Sequence, residues 1–481
     1  MNSLLQLKTI RPLLITLTLI WFAFSSQIKA DCPSRCPGGG NTALGDGALD
    51  SVTTGINNTA VGKDALASTT AGAYNVAIGR STLRSNVSGN FNMAIGTEAL
   101  RDSIANYNLA VGFRVGFKNT TGHHLTGIGA GALQNNETGS QNTAIGADAM
   151  KENQTGEQNT AIGTFALRAN TTGSQNTANG LVALDSNTEG KGNAATGAFA
   201  LFSNTTGNFN TANGGATLVG NTTGSENTAN GAVALLSNTT GTGNTADGYS
   251  TLGNNTIGEG NTAYGIFALL NNTTGSGNVA LGVEAGMNAT TGSGNVYIGT
   301  GMQGVAGESN ACYIASIFGQ TSINGVPVLI NSSNKLGTAT SSARFKRDIH
   351  DMDKASEVLF ALRPVAFRYK KEIDPRGISQ LGLVAEDVEK VNRDLVVRDK
   401  EDKPYSVRYD QVNAMLLNEF LKAHRKIEQQ DRKAQEQQKE IDSLKTELRE
   451  QSALIQKVSA QLDVSKAAPQ TVLNNQSQPR Q

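Results

Sequence analysis

From residue 41 to residue 299 the apolar positions keep a fixed beat. Each unit opens with Asn-Thr-Ala-x-Gly, and its third position is Ala or Gly in every copy until Tyr297. A small residue and a Leu follow, as in Ala99-Leu100, Ala166-Leu167 and Ala234-Leu235. The pentapeptide begins at Asn41, Asn58, Asn75, Asn92, Asn108 and a degenerate Leu125, then at every seventeenth residue from Asn142 to Asn295. That makes sixteen copies, with one step of sixteen between Asn92 and Asn108. A turn such as Asn170–Gly173 closes the unit, because Asn and Gly tolerate the positive φ of tight turns. Seventeen residues with two turn signals predict two short strands per unit and no helix, which is one coil of a β-solenoid, or β-roll.

Stacking aligns Leu66, Leu83, Leu100, Leu133, Leu167, Leu184 and Leu201 into one apolar ladder, with the pentapeptide Ala as a second inner column. At the spacing of paired strands, sixteen coils make a rod on the order of 75 Å long. So thin a coil buries little, and lateral association of several chains is expected to bury the ladders. The fourth pentapeptide position is aliphatic from Leu44 to Ile162, then reads Asn179, Thr196, Asn213, Asn230 and Asp247, and is apolar again from Tyr264. A ladder of hydrogen-bonded amides is the expectation there, and a polar face exposed to a ligand is the alternative. A crystal-binding Thr column (Thr143, Thr160, Thr177) is interrupted at Val76, Met93 and Ala194.

Beyond residue 300 the pattern changes. Cys312–Ile314 and Val326–Ile330 read as short strands in a β-rich connector over 300–340, with a turn-rich stretch at 331–337. Ala355–Leu362 reads as helical and Val365–Tyr369 as a strand. Gly382–Ala385 reads as a second strand entering a helix over Glu386–Val391, and Leu395–Arg398 with Tyr405–Tyr409 as a hairpin. Residues 411–465 carry heptads: Phe420, Ile427, Ala434, Ile441, Leu448, Ile455 and Leu462 form one seam, and Leu416, Ala423, Gln430, Gln437, Leu444, Gln451 and Val458 the other. This predicts a coiled coil in which three Gln set register more than stability. The polar stretch 466–481 reads as a disordered tail.

Charge sharpens the division near residue 340. The chain carries 40 basic and 40 acidic residues, and 49 of these 80 lie in residues 341–481. With no net charge, neither nucleic acid nor an anionic membrane is favoured. Residues 1–30 read as an export signal, with Lys8 and Arg11 before an apolar stretch over 12–24 and Ala30 at the cleavage position, an uncleaved anchor being the alternative. No membrane span is expected once it is removed, and the location implied is secreted or cell surface. Cys32 and Cys36, in the segment 31–40, suit a local terminal loop or an inter-chain bond, and Cys312 stands alone. No metal or cofactor is expected. His123, His124 and His350 read as solvated or structural, and no recurrent carboxylate pair suggests glycan hydrolysis.

Two resemblances follow from these motifs. Asn142-Thr143-Ala144-Ile145-Gly146 and its copies resemble the head repeats of trimeric autotransporter adhesins, which implies a homotrimeric β-roll that binds a host or matrix surface. Ser341-x-x-Arg344-x-Lys346, then Gly382-Leu383-Val384-Ala385-Glu386-Asp387-Val388, then Tyr409 leading into the heptads, resembles the intramolecular chaperone domain of endosialidase tail spikes, peptidase S74. The resemblance implies a small α+β chaperone and autoprotease domain over 341–410 that trimerises the chain. It also implies a cut between Thr340 and Ser341, with Ser341 as nucleophile and Lys346 as its base, since a Ser hydroxyl needs one. Ser342, where the family often has Asp, is the alternative nucleophile. The reading is a secreted or surface trimeric fibre with an unidentified ligand, glycan or matrix. A phage-type spike with glycan-directed activity and a non-cleaving trimerisation domain are the alternatives.

Overall fold

A computed structural model describes residues 39–466 apart from Thr321. The expected signal, Cys32, Cys36 and all of the tail after residue 466 lie outside the described residues. The chain divides into two compact units, the first ending at Thr321 and the second beginning at Ser322.

The first unit is a β-solenoid with the expected spacing. Among the described residues, seventeen strands of three residues, from Thr42–Leu44 to Cys312–Ile314, form one parallel sheet. Equivalent pentapeptide positions pair from coil to coil, Thr160 with Thr177 and Ala161 with Ala178. The stack runs one coil past the last pentapeptide, because Cys312 pairs with Val296 and Tyr313 with Tyr297.

Each coil holds one strand instead of the two expected. On the opposite side the backbone enters the left-handed region twice, as at Asp64 (φ 58°) and Leu66 (φ 52°), which breaks any extended run. That side still bonds along the stack: the Leu66 N–H donates to the Thr82 carbonyl and the Ser68 N–H to the Arg84 carbonyl, each at 3.0 Å. A left-handed Leu costs roughly 1–2 kcal/mol. Burial offsets this, since Leu66, Leu83 and Leu167 are wholly enclosed and a buried Leu contributes about 1.5–3 kcal/mol.

The Leu and Ala columns form one continuous cluster inside a single chain. The expectation that neighbouring chains would bury these ladders is therefore corrected: the coil closes on itself around them. The amide ladder is also misplaced. Asn179 and Asn213 point outward, Asn230 is half-buried, and none makes a side-chain hydrogen bond along the stack. A three-residue strand turns only its central side chain inward, so positions two and four face out.

The amide ladders lie at two other columns. The first pentapeptide Asn is buried, and its Oδ1 accepts the backbone N–H of the next: Asn193 N–H donates to Asn176 Oδ1 at 3.0 Å, while Asn176 Nδ2 donates to the Gly190 carbonyl at 2.8 Å. The turn Asn forms a second buried column in which Asn170 Nδ2 donates to Asn153 Oδ1 at 2.7 Å, and the pattern repeats to Asn272. Asn272 Oδ1 is left without a partner because the next coil has Ala289 in that column.

Volume is balanced where copies depart from the pattern. The fifth coil has Val115 for the usual Ala, and the sixth answers with Gly127, where a Cβ would lie 2.5 Å from Val115 Cγ1. Near the C-terminal end Tyr297 fills the Ala column, fully buried and stacked on Tyr313 at 5.7 Å. It fits because Gly286 replaces Leu, and a Cβ there would meet its ring at 2.6 Å. Tyr297→Ala should leave a cavity and cost about 3–5 kcal/mol. Adding Gly286→Leu rebuilds the ordinary Ala/Leu pair, so thermal denaturation should show the double variant recovering part of the loss.

In the second unit Val328–Ile330 pairs antiparallel with Leu336–Thr338, so part of the expected turn is strand. A 3-10 helical run occupies Asp353–Ala361. Val365–Phe367 pairs with Gln380–Gly382, shorter and earlier than expected, since the chain turns into a helix at Ala385–Val391. Val396–Arg398 and Pro404–Val407 form the expected hairpin. One helix then runs from Tyr409 to Lys466. Val388, Leu395, Val396, Val407 and Val412 form the small core, with Val358, Leu359, Leu362 and Met415 against it. Among the described residues no helix is long and apolar enough to cross a membrane.

Candidate functional site

Thr340 and Ser341 follow the strand Leu336–Thr338 in irregular, exposed backbone. Ser342 is extended (φ −64°, ψ 136°), and a single 3-10 turn over Ala343–Phe345 follows. The Phe345 N–H donates to the Ser342 carbonyl at 3.1 Å and the Lys346 N–H to the Ala343 carbonyl at 3.0 Å. Ser341 and Lys346 thus lie on either side of one tight turn, with no hydrogen bond between their side chains. Both are exposed, and among the described residues neither makes a side-chain hydrogen bond. Arg344 lies over the Phe345 ring at 4.6 Å, and His350 Nδ1 contacts the Asp348 carbonyl oxygen at 2.9 Å, facing solvent.

The second motif has a clear local role. The Leu383 N–H donates to Tyr409 Oη at 3.0 Å, tying the strand end to the first residue of the long helix. Gly382 permits that approach, since a Cβ there would lie 3.0 Å from the same oxygen and 3.3 Å from the Phe367 ring. Asp387 binds Arg363 at 2.8 Å and Lys390 at 3.0 Å, and these bonds hold its carboxyl below the usual carboxylate range. Gly382, Asp387 and Tyr409 therefore fasten the strand Gln380–Gly382 and the helix Ala385–Val391 to their neighbours.

The sequence gives no hint of a polar cluster around Ser356. This residue is fully buried, and its Oγ donates to Glu419 Oε1 at 2.5 Å. It accepts from Asn418 Nδ2 at 2.7 Å and from Lys422 Nζ at 3.2 Å. Lys422 also donates to Glu419 Oε1 at 2.7 Å, and the bonds from Lys422 and Ser356 hold the Glu419 carboxyl below its ordinary value. Partners more than sixty residues apart leave no spacing signal. The hydroxyl is closed to any substrate, so its chemistry is that of a clasp and not of a nucleophile.

Residues 341–397 match the family described as Peptidase_S74, chaperone of endosialidase. The matched residues follow the solenoid and precede the long helix in chain order. No curated protein and no solved structure matches the chain. A β-solenoid followed by such a segment fits a fibre-like protein.

Proposed function

We propose that the protein is a secreted or cell-surface homotrimeric fibre whose S74 segment drives assembly and then cuts the chain before Ser341. The observation that carries this reading is the juxtaposition of the S74 match with a 58-residue helix whose heptad side chains have no cover. Phe420, Ile427, Leu448 and Ile455 are more than half exposed along that helix. A row of apolar residues at heptad spacing belongs in a coiled coil. Phe345, Ile349, Phe360 and Leu381 add further uncovered apolar surface around the S74 segment. On the solenoid, the outward Ile78, Ile145 and Ile162 support lateral packing. The stacked, half-exposed Tyr74, Phe91 and Tyr107, 5.1 Å apart, supply a contact face for a glycan or matrix ligand. The export-like residues 1–30 support the location.

In the cut, Ser341 Oγ attacks the Thr340 carbonyl carbon while Lys346 takes the hydroxyl proton. The peptide C–N bond breaks, and the Ser341 nitrogen takes that proton back from Lys346 and leaves as an amine. Water then hydrolyses the Thr340 ester, leaving a carboxylate. Assembly is proposed to provide the enclosure of Lys346 that the lone chain lacks. A non-cleaving clamp is the second reading, favoured by the exposure of both dyad residues.

The seam is tested by Ile427→Asp combined with Ile441→Asp. Each carboxylate would enter an apolar seam at a desolvation cost of several kcal/mol. Analytical ultracentrifugation should find the double variant monomeric and the wild type trimeric. A trimer that survives both substitutions would remove the helix from the assembly.

A further inference from the structure

The long helix faces two ways in its first turns. Val412, Met415, Glu419 and Lys422 are spaced by three, four and three residues, so they share one face. That face lies against the small core and Ser356. Leu416, Phe420, Ala423 and Ile427 form the adjacent stripe, where Leu416, Phe420 and Ile427 are exposed and are the first rungs of the seam. Asn418 and Glu419, which hold Ser356, directly precede Phe420. Rotation or bending of these turns as seams meet would carry Asn418 and Glu419 with it.

Ser356 is the one wholly buried polar residue among the described residues of the second unit. A buried hydroxyl is costly to leave unpaired, about 1–3 kcal/mol for an orphaned group. Its three side-chain partners therefore fix where it sits. Asn418 Nδ2 also donates to the Asp353 carbonyl at 3.2 Å, so the clasp grips the start of the Asp353–Ala361 run as well as its middle. That run begins seven residues after Lys346, and it is the first packed element downstream of the Ser341 turn.

We propose that Ser356, Asn418, Glu419 and Lys422 couple seam association to the geometry of the Ser341–Lys346 turn, acting as positioning residues for the cut. The proposal rests on the self-cleaving reading above. Helix association sets the clasp, the clasp sets the Asp353–Ala361 run, and the run anchors the downstream end of the stretch that carries Lys346. Cutting is then confined to chains whose helices have paired. Glu419 contributes an acceptor for Ser356, so its amide should serve nearly as well as its carboxylate.

The test uses the full chain as wild type, Ser356→Ala, Glu419→Ala and Glu419→Gln. Three quantities are followed: stoichiometry by ultracentrifugation, the half-time of the cut on denaturing gels, and hydrogen exchange at residues 343–352. Ser356→Ala and Glu419→Ala should associate as wild type does yet cut on the order of 10–100-fold more slowly, as misplaced reacting groups do. Glu419→Gln should cut at close to the wild-type rate. Both Ala variants should exchange faster at the Phe345 and Lys346 amides, which lie upstream of the clasp. Associated Ala variants that cut with the wild-type half-time would overturn the proposal. If an Ala variant fails to associate, a Glu419→Gln chain that associates but cuts slowly would overturn it too. An uncut wild type would sink the self-cleaving reading alone. Exchange at 343–352 would then decide the coupling, with unchanged protection in the Ala variants counting against it.

Discussion

Asn176→Val should destabilise the solenoid by several kcal/mol, whereas Asn179→Val, three residues away in the same pentapeptide, should be nearly silent. Asn176 Oδ1 accepts both the backbone N–H and Nδ2 of Asn193, at 3.0 and 3.2 Å. Val removes that acceptor and leaves the buried Asn193 N–H without a partner, at about 1–3 kcal/mol. Asn193 Nδ2 keeps only its bond to the Gly207 carbonyl, and the Asn176 Nδ2 bond to Gly190 is lost as well. Because each coil is held chiefly by its neighbours, the break should also uncouple the coils on either side and broaden the unfolding transition. Asn179 is exposed and occupies a column that holds Ile in the preceding coil. A surface change of that kind is usually worth within about 0.5 kcal/mol. Calorimetry of both variants checks the contrast, and equal losses would mean the amide columns are wrongly assigned.

Ser341→Ala should abolish the proposed cut, because no oxygen remains to attack the Thr340 carbonyl. Lys346→Ala should slow it by roughly 10²–10⁴-fold, the usual value of a placed general base. Ser342→Ala should leave it nearly intact. Denaturing gels with N-terminal sequencing of the released fragment separate these cases. A cut that survives Ser341→Ala but fails in Ser342→Ala would move the nucleophile by one residue. No cut in any chain would favour the non-cleaving clamp.

The parts of this fold legible in the sequence are those that periodicity alone determines. A small residue at the third pentapeptide position and a Leu six residues on recur at one interval, which identifies two inner columns without coordinates. The long helix is legible for the same reason. What periodicity cannot supply is the facing of polar positions. Asn176 and Asn179 look alike in sequence, yet one is fully buried and the other points outward. A signal was present: the first position is Asn in every copy but Leu125, whereas the fourth varies freely. Uniformity marks the buried column, whereas the cluster of Asn at the variable position lies on the outward face. The second strand was expected because left-handed residues such as Leu66 carry no compositional mark.

At the S74 segment the motif was readable but its mechanics were not. Gly382 and Tyr409 stand 27 positions apart, and only the fold shows that one leaves room for the other. Ser356 lies outside every motif, and its link to Asn418, Glu419 and Lys422 depends on how the helix docks.

Association through the helix underlies both the proposed fibre and the proposed cut. Sedimentation equilibrium of the Ser341→Ala chain, kept intact by that substitution, tests this most directly. Three chains per particle, near three times the mass of the single chain under test, is the predicted result. A single folded chain per particle at micromolar concentration would contradict it.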